Sequence, residues 1–477
     1  MHALIEQLAP HFRSHQLLTG NAVDARFLHD WMVTLPHGMP LAVIRPKTTA
    51  EVSLVLAACH AHGVPVVPQG GLTGLAGGAV PVDAGVVLNL ELMQGIEEID
   101  AAASTMTAWA GTTLQAVQES ASAAGLFFPL DIGGRGSCRI GGNVATNAGG
   151  NRVLRFGMAR ESVLGMEVVL ADGTVITSLN KMLKNNAGYD LKHLFIGSEG
   201  TLGVVTRLVL RLHAQPRSRC TALCALADYA AVLQLLGHVR SRLPGSLSAF
   251  EWMHPDFYER VTRGVAGLTT PLPYGNGTGQ RHGAYVLIES LGGDQASDQA
   301  IFEAVLGEAL ESGVVMDAVV AQSESETAAL WRVRDASGEF RQVFWPHVGF
   351  DVSLPTGDIG RFVEQLTAQL HASWPDVGTV FFGHIGDANI HIGVKVGAGE
   401  QPEQAIEELV YALVSQWRGS VSAEHGIGLL KKPYLGHSRS AEEIALMRRV
   451  KAALDPKGIL NPGKVFDSFP TEASPNP

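Results

Sequence analysis

Pro68 to Gly78 reads PQGGLTGLAGG and follows a short apolar run, Val64 to Val67. A strand that runs into a glycine-dense turn brings bare backbone N–H groups close to an anion, because no Cβ stands in the way. Gly70, Gly71, Gly74, Gly77 and Gly78 are spaced for such a nest, and Thr73 adds a hydroxyl. The ligand this suits is a phosphate or pyrophosphate. An ordinary glycine-rich surface loop is the competing reading of one such stretch taken alone.

A second glycine-dense stretch weighs against that competitor. Asp131 to Gly157 reads DIGGRGSCRIGGNVATNAGGNRVLRFG, mixing seven glycines from Gly133 to Gly150 with Ser137, Asn143, Thr146, Asn147 and Asn151. It is too poor in large apolar residues to form a packed core element by itself, and too poor in charge to read as a disordered tail. Small residues with amide and hydroxyl groups suit a wall against a flat polar heterocycle. Val163 to Thr177 then reads as a hairpin turning at Asp172-Gly173. Gly197 to Leu212 reads as a glycine turn feeding an alternating strand.

Upstream, a strand at Leu41–Arg45, an amphipathic helix over Thr48–His62 and the strand before the first glycine loop make a βαβ start. Residues 1 to about 40 read as helical. Leu114 to Ala124 is a helix with Thr112 and Thr113 as candidate caps. Composition changes near Gln215-Pro216, after which strands (Ala284–Ser290, Val348–Leu354) and helices (Asp294–Glu311) alternate in the manner of an α+β domain. Thr269–Arg281 reads as a loop, and the Ser/Pro-rich tail after Phe466 as frayed.

The 477-residue chain is long enough for two or three packed domains, with 17% charged residues and a slightly positive mean hydropathy of +0.14. A net charge of −11 argues against nucleic acid or an anionic membrane as the main partner. No apolar run approaches the roughly 20 residues that span a bilayer. The first residues lack a basic-then-apolar secretion pattern. The four cysteines, Cys59, Cys138, Cys220 and Cys224, fit no zinc or iron–sulfur spacing. A cytoplasmic protein with reduced thiols is expected.

A separate constellation carries chemistry. Gly383 to His391 reads GHIGDANIH, and Ser422 to Leu435 reads SAEHGIGLLKKPYL. His384 and His391 are candidate ligands of a divalent metal with Glu424 as a third, which is the donor set of a Lewis-acid site with an open position. His425, next to Glu424, remains as a base. The competing reading is two ordinary core or surface histidines; two histidines flanking Gly386, Asp387 and Asn389, with Glu-His-Gly downstream, favour chemistry. Gly458 to Lys464, GILNPGK, matches the spacing of a phosphate loop. However, Val465 follows it where Ser or Thr is needed, and a helix, Glu442–Leu454, precedes it where a strand is needed. No GxGxxG follows a strand, so a nicotinamide site is unsupported.

In the order PQGGLTGLAGG, DIGGRGS, IGGNVATNAGG, GSEGTLGVVT, GHIGDANIH, AEHGIG and LDPKGILNPGK, these segments resemble the FAD-linked D-2-hydroxyacid dehydrogenases. That group includes D-lactate and D-2-hydroxyglutarate dehydrogenases and the glycolate oxidase flavin subunit, within the vanillyl-alcohol-oxidase-type flavoproteins. The resemblance runs from about Arg45 to Phe466. It implies an α+β fold: a two-subdomain FAD-binding domain over 1–215, an inserted antiparallel-sheet substrate cap domain over 216–420, and a C-terminal segment, 421–470, completing the FAD domain.

By motif match, Pro68, Gly70, Gly71, Leu72, Thr73 and Gly74 would hold the FAD pyrophosphate. Asp131, Ser137, Gly141, Gly142, Asn143, Thr146, Asn147 and Gly150 would line the flavin and ribityl chain. Val205 would approach the adenine and Asn461 the flavin. Leu72 and Thr73 stand where covalent members place a tethering histidine, so non-covalent FAD is implied. His384, His391 and Glu424 would hold zinc or a similar cation that chelates the substrate's 2-hydroxyl and carboxylate. His425 would take the hydroxyl proton while the Cα hydrogen leaves as hydride to flavin N5. Arg334 matches a carboxylate-gripping arginine. The matching threonine, lysine and asparagine positions are Gly338, Gly349 and Gly393, which argues against a dicarboxylate as the best substrate. Phe340, Phe344, Trp345 and Phe350 cluster nearby as core or pocket lining.

The implied partners are a small 2-hydroxy acid and a separate electron acceptor, a quinone or an electron-transfer protein; a homodimer is an open expectation. Two other readings stand beside this one. A phenol- or aryl-alcohol-oxidising relative would call for tyrosine-rich phenolate sites, and the chain has 7 tyrosines. A non-catalytic FAD electron-transfer subunit would leave the His/Glu cluster without a role.

Overall fold

The computed structural model describes residues 2–275, 277 and 281–467, apart from the side chain at 341. Parts of two expected features, the 269–281 loop (276 and 278–280) and the tail from 468 onward, lie outside the described residues. The chain divides into two units. The first comprises Met1–Gly150, Gly157–Gln215 and Glu424–Pro477; the second comprises Asn151–Phe156 and Pro216–Ala423.

The first unit holds two main sheets. A four-stranded sheet runs Leu17–Leu18, Ala42–Ile44, Val86–Asn89, Val66–Gln69, parallel except for its first pair. The helix Thr49–His62 makes the crossover. Thr48 caps it by accepting from the Glu51 N–H, and Gly63 ends it at φ +66°. The strand expected at Val64–Val67 begins one turn of the pleat later, at Val66. It sits on the sheet edge, where Pro68 costs no ladder hydrogen bond. That edge is partly covered from the far end of the chain: Val66 donates to Ile459 and accepts from the Asn461 N–H.

The second sheet is antiparallel and five-stranded, in the order Ile96–Asp100, Thr105–Trp109, Val204–Arg211, Val163–Val169, Val175–Ser178. Its Asp172-Gly173 turn is as expected, with Gly173 at φ +87° and the Asp172 carboxylate accepting from Thr174 N–H. The helix Leu114–Ala123 is capped by Thr113.

Two expectations for this unit are corrected. The first 40 residues are not mainly helical: one short helix, Ala3–Leu8, is followed by single 3₁₀ turns, because Pro10, Pro36, Pro40, Gly20 and Gly38 interrupt the helical pattern. The second glycine stretch does contain a core element. Ile140–Ala145 is a helix whose Ile140 and Val144 are buried in the main cluster, two anchors being enough for so short a helix.

The second unit is a seven-stranded antiparallel sheet. Its order is Asp317–Val320, Ser218–Leu226, Ala284–Gly292, Leu247–Met253, Val377–His384, Asn389–Val396, Val348–Ser353. Pro255–Gly264 and Glu324–Asp335 pack one face, where Phe257, Tyr258, Val261, Leu330 and Val333 meet Leu223, Met253, Leu287 and Val380. The expected strands at 284–290 and 348–354 and the helix at 294–311 are present at Ala284–Gly292, Val348–Ser353 and Gln295–Glu311. Among the described residues, no helix is long and apolar enough to cross a membrane.

Candidate functional site

In the first unit the two glycine stretches are clasped together. A Cβ on Gly71 would lie 2.0 Å from the Ser137 carbonyl oxygen, and one on Gly70 would lie 3.4 Å from Arg139 Cβ. Pro68 packs beside Gly200, Thr73 beside Gly134, and the Gly74 carbonyl accepts from Trp31 N–H. Leu72, at φ +59°, turns the loop in the left-handed region and rests its side chain on Phe27, Val43 and Val87. Gly141 seats the helix on Ala110, where a Cβ would come within 2.6 Å of the alanine methyl. At Gly142, one residue on, an added Cβ meets nothing within 4 Å. The helix therefore presents a bare backbone face.

Asn147 sits at φ +51° and accepts from Arg160 N–H, while the Thr146 hydroxyl donates back to Gly142. Gly150 runs so close to Asp131 that a Cβ would stand 2.2 Å from its carbonyl oxygen, and its N–H donates to Glu424 at 2.8 Å. Val205 is buried in the strand Val204–Arg211, against which the helix Ile140–Ala145 packs. Asn461, at φ +40°, donates through Nδ2 to the carbonyls of Gly78 and Glu199.

Several buried polar atoms around this wall have no partner within the chain: Asn143 Oδ1, Asn461 Oδ1 and Arg139 Nε. Orphaned groups of this kind want an external polar partner. With a bare backbone face beside them, they fit a phosphorylated heterocyclic cofactor.

Glu199 was not singled out from the sequence. Its carboxylate accepts from both Ile427 and Gly428 N–H at 2.8 Å and so ties GSEG to AEHGIG. Burial pushes its pKa up, against the pull of those two hydrogen bonds. Lys464, the lysine of the phosphate-loop look-alike, is buried and donates to Val80 O. Burial brings its pKa down to about 8. It is a brace, not a phosphate ligand within a nest.

The second unit has a different centre. On one face of its sheet Glu251 stands between Arg334 and His384, accepting from Arg334 Nε at 2.7 Å and meeting His384 Nδ1 at 2.7 Å. Arg334 also reaches His384 Nε2 at 3.2 Å and lies over the Phe382 ring. All three side chains are at least 94% buried. Burial alone would raise the Glu251 pKa, but the charges and hydrogen bonds of His384 and Arg334 outweigh it and hold it down at about 2.

The His391 ring lies 5.5 Å from that of His384 and 5.0 Å from Phe382. It faces Asp351 across the strand pair, and the Asp351 carboxylate accepts from Asn389 Nδ2 and Ala423 N–H. Glu251 and Asp351 were missed from the sequence. The signal was there: each is a lone acid in an otherwise apolar strand, LSAFEWM and VGFDVS. Of the expected aromatic cluster, Phe340 and Phe344 pack with Phe382 and His347, Phe350 packs on Tyr411, and Trp345 is exposed. The four do not form one lining, because strand alternation puts Phe350 on the opposite face from His391.

The family described as FAD linked oxidases, C-terminal domain, matches residues 215–465, and the FAD binding domain matches residues 40–178. The chain is 41% identical over 435 residues to D-2-hydroxyglutarate dehydrogenase of Xanthomonas citri pv. viticola, covering 90% of each. It is 41% identical over 445 residues to the mitochondrial D-2-hydroxyglutarate dehydrogenase of Bos taurus, covering 93% of this chain and 79% of that one. Its fold matches p-cresol methylhydroxylase with substrate bound at a TM-score of 0.76 and 16% identity, over 98% of this chain and 97% of that one. This chain belongs to the FAD-linked oxidases.

Proposed function

We propose that the protein oxidises a D-2-hydroxy acid to the 2-oxo acid with non-covalently bound FAD. The observation that carries this is the buried Glu251–His384–Arg334 cluster: a cation and an imidazole are held in fixed orientation on the sheet face that also presents His391. Relatives sharing about 41% identity over 90% or more of the chain are named for D-2-hydroxyglutarate oxidation. FAD, when bound, supplies the hydride acceptor for the substrate's C2 hydrogen. Leu72 and Thr73 offer no imidazole for a covalent tether.

The chain's own contributions follow from the geometry. Glu251 fixes His384 with its Nδ1 proton toward the carboxylate, which makes Nε2, the atom that accepts from Arg334, the one that would serve as a ligand. A divalent cation on His384, His391 and Glu424 is part of the same proposal, and the tautomer of His384 is one that can bind a metal. Such a cation would lower the hydroxyl pKa of a bound 2-hydroxy acid. Arg334 retains N–H donors beyond those given to Glu251 and His384 for a substrate carboxylate. His425 is the base in this reading. A cytoplasmic location, a separate electron acceptor (a quinone or an electron-transfer protein) and zinc as the cation belong to the same proposal.

The test is anaerobic bleaching of the flavin spectrum against D- and L-2-hydroxy acids. Bleaching by D-acids alone is expected, and bleaching by phenols or by no hydroxy acid refutes the reading. Acid precipitation should release all the flavin into solution; flavin that stays with the pellet refutes non-covalent binding. His384→Ala, His391→Ala and Glu424→Ala should each lose bound metal on elemental analysis and most turnover, while flavin content holds. His425→Ala should keep the metal and lose roughly 10²-fold or more in rate.

A further inference from the structure

The first glycine loop is pinned by its carbonyl groups. Gly74 O accepts from Trp31 N–H, Ala76 O from Leu429 N–H, Gly78 O from Asn461 Nδ2, and Val80 O from Lys464 Nζ at 2.8 Å. Its amides are treated in the opposite way. Among the described residues, no backbone N–H from Gly70 to Ala76 donates to an acceptor in the chain. Carbonyls held from outside and amides left open make a nest for an anion.

The charges behind the loop are arranged against that use. A Cβ added to Gly74 would stand 3.3 Å from Asp30 Oδ2, and one added to Gly78 would stand 3.6 Å from Glu199 Oε2. Gly74 faces solvent, whereas Asp30 behind it is 2% exposed. Asp30 Oδ1 accepts from Met32 N–H, and Oδ2 has no hydrogen-bond partner among the described residues. Two carboxylates at the back of an anion nest repel the ligand unless cations offset them. Of the loop's four donors Lys464 is the charged one, and it too is buried. Burial pushes the pKa of Asp30 and of Glu199 up, and the charges of Lys431 and Lys464 pull that of Glu199 back. Burial and the neighbouring Lys432 charge bring Lys464 down to about 8, against the pull of Asp30 and Glu199.

We propose that Lys464 is a positioning residue for the cofactor's diphosphate: its ammonium holds the Val80 carbonyl and offsets Asp30 and Glu199, so that the open amides are not backed by uncompensated negative charge. This rests on the reading of Pro68 to Gly74 as the FAD pyrophosphate loop. Lys464 acts through Val80 and through its charge. A bound diphosphate favours the ammonium form and raises the Lys464 pKa. For this group, FAD affinity is therefore level below about pH 8 and falls as the pH rises through that value.

The experiment titrates the flavin-free full chain with FAD, followed by flavin fluorescence, from about pH 7 to about pH 9.5. Wild type, Lys464→Met, Asp30→Asn, the double variant and Thr73→Asp are compared, with thermal unfolding of the flavin-free protein as the check on folding. Lys464→Met should weaken FAD binding by roughly tenfold or more near neutral pH and flatten the fall at alkaline pH. Asp30→Asn should bind at least as tightly as wild type. The double variant should return to within about threefold of wild type, because one charge of each sign has gone.

A purely mechanical brace on Val80 gives a different pattern. The double variant then binds no better than Lys464→Met, and every variant keeps the wild-type pH profile; either result overturns the assignment. If Lys464→Met does not fold, Asp30→Asn carries the test. It removes a charge that raises the Lys464 pKa, so the fall in affinity should begin at lower pH, and a fall that does not move overturns the assignment. Thr73→Asp sets a carboxylate on the loop itself. Unchanged FAD affinity there shows that the loop is not the diphosphate site, and the assignment falls with that reading. Loss of FAD in Thr73→Asp with Lys464→Met unaffected sinks the role of Lys464 alone.

Discussion

At Gly71 an added methyl carbon would sit 2.0 Å from the Ser137 carbonyl oxygen. At the centre of the other unit, Glu251, Arg334 and His384 meet one another at 2.7–3.2 Å. The first unit makes its wall by leaving side chains out, so that backbone reaches backbone. The second builds its centre by burying charges against one another. The two designs fail differently. A wall of glycines is intolerant of volume and indifferent to charge. A buried ionic cluster tolerates modest changes of volume but not the loss of one partner.

The largest effect that would sharpen this contrast is at Gly71. Gly71→Ala should cost about 3 kcal/mol of stability in the FAD unit and give protein that purifies colourless, because the methyl can be relieved only by separating the two glycine stretches. Gly142→Ala is the paired control. Nothing in the chain opposes its Cβ, and alanine is the better helix former by roughly 0.5–1 kcal/mol, so the flavin-free protein should become slightly more stable. If the helix face lies against FAD, affinity for FAD should fall at the same time, by tenfold or more. Thermal unfolding with and without FAD, together with flavin titration, reads both signs. Gly142→Ala with unchanged FAD affinity would take this helix out of the cofactor wall.

At least as large in stability, but narrower in reach because flavin is retained, is Glu251→Ala. It leaves the Arg334 guanidinium buried without its carboxylate and frees the His384 ring from its fixed tautomer. The expected cost is about 3–5 kcal/mol, measured by denaturant unfolding, with turnover lost and flavin content retained in the folded fraction. Glu251→Gln keeps the shape and should fold better while remaining inactive. Because the Glu251 pKa is held down at about 2, the stability this group contributes is fully present above the ordinary carboxylate pKa. It is lost only as the pH falls from there through about 2. A Glu251→Ala protein as stable as wild type at pH 7 would show that the cluster is not what holds this face together.

The same contrast explains what the sequence discloses. Glycines that form a wall lie in runs, so PQGGLTGLAGG and IGGNVATNAGG announce themselves within a dozen residues, and the strands and caps around them follow local rules. The ionic cluster is assembled from positions far apart: Glu251 and His384 are 133 residues apart, Glu251 and Arg334 83, and Arg334 and His384 50. No window contains the pairing. His384 and His391 were legible because a tight turn at Ile385–Asp387 puts them on one hairpin, and Glu251 was not, because its partners are tertiary. The first 40 residues misled for a local reason, since their apolar spacing suggests helix while their prolines and glycines forbid it.

The smallest expected effect lies at Ala388. The hairpin between His384 and His391 turns through Ala388 at φ +73°, ψ 15°, a left-handed conformation with no glycine to accept it. Holding an alanine there costs roughly 1–2 kcal/mol. Ala388→Gly removes that strain but adds backbone freedom to the unfolded chain, worth about 0.4–1 kcal/mol in the opposite direction. The net expectation is a gain of roughly 0.5 kcal/mol, seen as a small rise in Tm. Kinetics supply the sharper reading. If the strained turn serves only to reverse the chain, kcat and KM for the best D-2-hydroxy acid should be unchanged in Ala388→Gly. If it sets the His384–His391 spacing, the more stable variant should be the slower enzyme, and the hairpin would then be the one place in the second unit where backbone conformation, not buried charge, positions the site.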